Sequence, residues 1–141
     1  MARILPSEPG PYGDGMTLTD DLVEFWRERH LCTVTTLRKD GSPHVIPMGI
    51  VLDAENAVAW GITSGTSQKV RNLRSGGDPR VAVCQVDGRR WSTLEGVAEV
   101  RSDEESVREA VRRYAERYRQ PRVNPARVAL RISLTRVLGN V

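Results

Sequence analysis

Apolar and polar positions along this chain follow two periods. The shorter one dominates. Leu31 to Leu37 is a β-branched run, and Lys39-Asp40-Gly41-Ser42 after it has the composition of a tight hairpin turn. Pro43 to Leu52 reads as the return strand, and Ala57 to Thr63 as a third strand. Arg80 to Val86 and Trp91 to Val100 form a second hairpin about Asp87-Gly88. Arg127 to Leu138 alternates Val128, Leu130, Ile132 and Leu134, the mark of a half-buried strand. Helical spacing appears in three places. Leu18, Leu22, Phe25 and Trp26 share one face of a helix capped by Thr17 or Thr19 and ending near His30, with Asp20 and Asp21 in its first turn. Ser67 to Ser75 reads as a short helix stopped by Gly76-Gly77-Asp78-Pro79. Ser102 to Glu105 has the form of a capping box opening a helix to about Arg119. That helix is expected to turn Val107, Val111, Tyr114 or Ala115, and Tyr118 inward, and Arg108, Arg112, Arg113 and Arg117 to solvent. The result is a mainly β fold with helices (α+β): six antiparallel strands, about three helices, and a closed or partly closed barrel.

Pro47 changes this picture locally. Proline cannot donate to a ladder, so the strand Pro43 to Leu52 must lie at an edge or be interrupted there. Met1 to Met16 holds three prolines and three glycines and reads as an irregular arm. Residues 17–141 then make a single domain, within reach of a 141-residue chain without disulfide staples. Cys32 and Cys84 sit in apolar runs and read as core residues. His30 and His44 are the only histidines, and no ligand pair at short spacing points to a metal. No apolar run reaches membrane length, and the first residues are too short in apolar length for a secretory signal. The expected compartment is therefore the cytoplasm. A net charge of +3 with 5% aromatic residues argues against a nucleic-acid surface and suits a small anionic ligand.

The chemistry concentrates at Thr63-Ser64-Gly65-Thr66-Ser67-Gln68-Lys69-Val70-Arg71-Asn72-Leu73. A strand ends, a hydroxyl-rich turn follows, and a helix starts. Hydroxyls, free backbone N–H groups and cations converge there, as a phosphate requires. The chain has two lysines against 19 arginines, and one of them is Lys69. The same residues also suit an ordinary helix cap with a solvated basic face.

Three segments in order carry a resemblance: the hairpin Thr35 to Met48, the run Thr63 to Leu73, and Asp78-Pro79-Arg80-Val81-Ala82-Val83 followed by Trp91 to Gly96. Together they resemble the split β-barrel flavin-binding superfamily, the fold of pyridoxamine 5′-phosphate oxidase, and within it the branch that binds the deazaflavin coenzyme F420. The resemblance spans about Leu18 to Leu138. It implies a homodimer with the cofactor between subunits. Val45, Ile46, Pro47 and Met48 would run past the ring system and offer backbone groups to its polar edge. Thr63, Ser64, Ser67, Gln68 and Lys69 would hold the phosphate, and Arg71 and Asn72 would stand one helical turn further on.

FMN ends at its phosphate, whereas F420 continues into a string of glutamates. The cations Arg71, Arg74 and Arg80 favour F420, with FMN as the alternative. The chain ends without the basic, tryptophan-rich segment of the pyridoxamine phosphate oxidases, which argues against a vitamin B6 role. The resemblance thus implies an F420H2-dependent reductase that passes a hydride to an electron-poor small-molecule acceptor. The other readings are an FMN enzyme of the same fold and a non-enzymatic F420 carrier. No side chain is assigned as catalytic, because the cofactor carries the difficult chemistry. His44 lies beside the cofactor strand, where hairpin alternation would point it outward.

Overall fold

The structure is a computed structural model that describes residues 2–4, 17–74 and 76–141. A two-stranded ladder joins β1 (Ala2–Ile4) to β2 (Thr17–Thr19). The first of these strands falls in the stretch expected to be irregular. The remainder of that arm, residues 5–16, lies outside the described residues.

The main sheet has seven strands: β3 (Cys32–Leu37), β4 (Pro43–Met48), β5 (Ile50–Asp53), β6 (Val58–Ser64), β7 (Arg80–Asp87), β8 (Arg90–Arg101) and β9 (Arg127–Asn140). Their spatial order is β4-β3-β7-β8-β9-β6-β5, antiparallel throughout. The expected strand Pro43 to Leu52 is therefore two strands at opposite ends of the sheet, which raises the count from six to seven. The break falls at Gly49, two residues after Pro47. Pro47 itself sits on an edge strand opposite Thr33, where its missing N–H costs no ladder bond.

This connectivity rolls the sheet. Its two edge strands are separated by one residue of chain, so the edges must approach at Gly49. No ladder joins β4 to β5 among the described residues, and the barrel is split along that seam. The inner face holds Val34, Ile50, Ala59, Val83, Leu94 and Ile132, all within a few per cent of full burial. The hairpin at Asp40-Gly41 forms as expected. Gly41 adopts a φ of +86°, and Asp40 accepts the N–H and hydroxyl of Ser42 at 3.0 and 2.6 Å.

Helix α1 (Asp20–Phe25) is shorter than its periodicity suggested; it is capped by Thr19 and buries Leu22 and Phe25, with Trp26 buried at its C-cap, while Leu18, expected on the same helical face, is buried from strand β2 instead. Helix α2 (Gln68–Leu73) follows the hydroxyl turn. Helix α3 (Glu104–Arg117) is capped one residue later than the capping-box reading, by Asp103, whose carboxylate accepts the Ser106 N–H at 2.9 Å. Its buried stripe is Ser106, Ala110 and Arg117 rather than the expected valines and tyrosine. Ala110 is small enough to let the helix sit against Val58, Trp60 and Ala129. Val107 and Val111 flank that contact half-buried.

Candidate functional site

The hydroxyl turn and the edge strand meet at one end of the barrel. Met48 packs on the cluster of Val70, Val128 and Leu130, which ties the end of β4 to the buried face of α2. A second tie comes from β3. Thr36 lies opposite His44 in the β3–β4 ladder, and its hydroxyl accepts the side-chain N–H of Asn72 at 2.8 Å.

On β4, Ile46 and Met48 turn half-buried towards the core, while Val45 and Pro47 face out. Because β4 is an edge, the backbone groups on its far side have no strand partner among the described residues. His44 shares the inward side with Ile46 and Met48, contrary to the outward orientation expected of it. Its Nδ1 is buried and has no hydrogen-bond partner among the described residues.

The turn itself is loosely bonded. Thr63 Oγ1 reaches Ser67 Oγ at 3.4 Å, and Ser64 and Thr66 share a contact of the same length. Ser67 is the N-cap of α2, yet its side chain makes no capping bond. These hydroxyls retain capacity for a ligand. Lys69 is half-buried, and burial pulls its ammonium below the ordinary lysine range. No carboxylate pairs with it among the described residues. A desolvated cation without a counter-ion is a poor structural element and a good anion receptor.

The remaining residues of α2 divide differently. Arg71 donates to the Thr66 carbonyl and to Gln68 Oε1, both at 2.7 Å. Gln68 donates in turn to Asn72 Oδ1 at 2.7 Å, and Asn72 is buried. Gln68 and Asn72 thus spend their amides within the protein. On an α-helix, Lys69 and Arg71 point about 160° apart. Gln68, Arg71 and Asn72 line a cavity of about 600 Å³ with Arg38, Lys39, Arg74, Arg80 and Asp78. The sequence did not single out Arg38 and Lys39, since hairpin-turn cations are ordinarily solvated. Arg80 is already paired with Asp78 at 2.7 Å, and its guanidinium and backbone N–H hold that carboxyl down at about 2.

Two features lay outside the sequence reading. Arg117, expected on the solvated face of α3, is buried. It donates to the carbonyls of Glu28 and Ile50 and to Gln85 Oε1. Nothing in a 3.6-residue period marks an arginine as inward-facing. The second is a cluster in which ligand atoms of Glu28, His30 and Asp87 come within 4.8 Å of one another. Arg90 reaches both acids, with Glu28 at 2.8 Å. These residues lie close in space but not in sequence. The guanidinium of Arg90, and then His30, hold the Glu28 carboxyl at about 2.

The chain is 49% identical, over 87% of its length and 88% of the relative's, to a protein of Mycobacterium tuberculosis (strain CDC 1551 / Oshkosh) named F420H(2)-dependent biliverdin reductase. Among solved structures, the conserved hypothetical protein Rv2991 from Mycobacterium tuberculosis superposes with a TM-score of 0.72 at 28% identity, covering 86% of this chain and 84% of that one. A structure titled F420 Reductase shares the fold with a TM-score of 0.69 at 22% identity, covering 86% and 98%. The profile of the family described as pyridoxamine 5′-phosphate oxidase runs from residue 18 to residue 140, the whole of the rolled sheet with α2 and α3. On this match over most of its length, the chain belongs to the pyridoxamine 5′-phosphate oxidase family.

Proposed function

We propose that this protein is an F420H2-dependent reductase acting on an open-chain tetrapyrrole of the biliverdin kind. The observation that carries the reading is Lys69. It is a half-buried cation with no carboxylate partner among the described residues, beside under-used hydroxyls and next to an edge strand. The 49% identical relative named for that reaction supports the same cofactor and acceptor class.

Lys69, Thr63, Ser64 and Ser67 would hold the phosphate. Val45, Ile46, Pro47 and Met48 would offer backbone groups from the free edge of β4 to the ring system. Gln68, Arg71 and Asn72 brace α2 in place. The cavity with Arg38, Lys39, Arg71, Arg74 and Arg80 suits the glutamate tail that distinguishes F420 from FMN. Bound F420H2 supplies a hydride from its ring carbon to the acceptor. The protein's part is to orient the ring against β4 and to exclude water from it.

The outer face of the sheet supports a homodimer. Val45, Val86, Trp91, Val97 and Leu138 are 55, 63, 38, 37 and 38% exposed. The ladder registers put them on one side of β4, β7, β8 and β9, exposed apolar side chains interspersed with Arg80, Thr93 and Glu95, a mixed surface of the kind an interface can use. A cofactor on β4 would lie at the rim of that interface.

Titration of the purified protein with F420 and, separately, with FMN tests the cofactor. Adding biliverdin to the F420H2-loaded protein tests the acceptor. Micromolar or tighter F420 binding, followed by oxidation of F420H2 on adding biliverdin, is the expected result. Tight FMN binding without F420 binding would move the protein to the flavin branch. F420 binding without turnover of any acceptor would make it a carrier.

A further inference from the structure

The C-terminal end of α3 holds the seam of the barrel through several hydrogen bonds. Tyr118 donates its hydroxyl to the His30 carbonyl at 2.6 Å and accepts the Ile50 N–H at 3.3 Å. Its ring occupies the space above Gly49, where an added Cβ would lie 2.8 Å from Tyr118 and 3.0 Å from Tyr114. Arg117, 8% exposed, donates Nη1 to the Ile50 carbonyl, and Nε and Nη2 to the Glu28 carbonyl at 3.0 and 2.7 Å. Its Nη2 also reaches Gln85 Oε1 at 2.7 Å, and Gln85 donates to the Phe25 carbonyl at 2.9 Å. The guanidinium lies 5.4 Å from the Trp26 ring and 5.2 Å from the Tyr118 ring.

A buried arginine is usually matched by a carboxylate. Here, among the described residues, the guanidinium's hydrogen-bond partners are carbonyls and an amide oxygen. A charge buried on such partners is an expensive way to gain stability, and apolar packing would serve better. A planar fork does something apolar packing cannot: it fixes backbone points in direction as well as distance. The points fixed are Glu28, in the chain after α1, and Ile50, the first residue of β5, two residues beyond the end of the cofactor strand.

We infer that Arg117 and Tyr118 are positioning residues for cofactor binding, which pin the seam at Gly49–Ile50 and thereby set where β4 stands relative to Lys69. The inference rests on the F420 reading of β4. It makes α3, which contributes no residue to the proposed cofactor contacts, a determinant of cofactor affinity.

The test uses the full chain with Tyr118→Phe and, separately, Arg117→Lys, below the temperature at which either begins to unfold. Amide exchange is compared between residues 43–50 and residues 91–101, and F420 affinity and the visible absorption band of the bound deazaflavin are recorded. Tyr118→Phe keeps the ring and loses only the hydroxyl, so it remains informative if Arg117→Lys does not fold. Exchange in residues 43–50 should rise about tenfold while residues 91–101 stay unchanged. The F420 dissociation constant should rise about ten- to a hundredfold, with the absorption band moving towards that of free cofactor. Unchanged exchange at 43–50, an equal rise everywhere, or local loosening at unchanged affinity would each overturn the inference. A parent protein that binds no F420 overturns the functional reading instead, and the exchange pattern alone then decides whether the seam is pinned from α3.

Discussion

Asn72 donates its side-chain amide to the hydroxyl of Thr36 at 2.8 Å, across 36 positions of sequence. Its amide oxygen accepts from Gln68 at 2.7 Å, so both ends of a buried side chain are used inside the protein. This bond connects α2 to β3, the strand on which β4 is laddered. Asn72→Ala should leave the Thr36 hydroxyl and the Gln68 amide without a partner and destabilise the fold by about 1–3 kcal/mol. Thermal denaturation measures this without cofactor, and an unchanged melting temperature would show the bond to be of no consequence.

Lys69 should behave in the opposite way. It has no counter-ion among the described residues and is penalised by burial, so Lys69→Ala should keep the fold and its melting temperature. Loss of a charge-assisted contact should weaken F420 binding by about 1.5–3 kcal/mol. Calorimetric titration reads this directly, and equal affinities would remove Lys69 from the proposed phosphate site.

Gly49→Ala tests the tight approach at the seam. A Cβ there would meet the rings of Tyr118 and Tyr114 at 2.8 and 3.0 Å, and both rings are stacked on each other. Neither can withdraw without breaking that stack, so the overpacking should cost about 1–3 kcal/mol in chemical denaturation. A variant as stable as the parent would mean that the rings move aside freely.

The ion cluster of Glu28, Arg90, Asp87 and His30 predicts a pH dependence. The Glu28 carboxyl is held at about 2, below its ordinary 4.5, chiefly by Arg90 and then by His30. A lowered folded-state value contributes stability above the ordinary value and loses it as pH falls towards about 2. The melting-temperature gap between the parent and Glu28→Gln should therefore be widest near neutrality and close between about pH 4.5 and 2. A gap that persists through that window would mean that charge is not what the glutamine removes.

Val97→Asp replaces an exposed apolar side chain with a charge on the outer face of the sheet, away from β4. If that face joins two copies, sedimentation should show a dimer for the parent and a monomer for the variant. A monomeric parent would withdraw the homodimer.

Much of this architecture was legible from local pattern. Alternation located the strands, the Asp-Gly turns located the hairpins, and the run from Thr63 to Leu73 located the hydroxyl turn, because each is set by interactions between near neighbours in the chain. The burial of Leu22, Phe25 and Trp26 also followed from spacing alone. Other features depended on tertiary partners. Pro43 to Leu52 reads as one apolar run because nothing local says that its halves belong to opposite edges of a sheet; only closure of the roll separates them at Gly49. Arg117 looks like any surface arginine until the carbonyls of Glu28 and Ile50 arrive from distant segments to accept its protons. Lys69 and Arg71 look like one basic patch until a helix turns them apart. The sequence alone determined most of the elements and the position of the hydroxyl turn, through short-range sterics and hydrogen bonding. The three-dimensional structure decided which polar side chains are spent on hydrogen bonds within the protein, because that depends on partners far away along the chain.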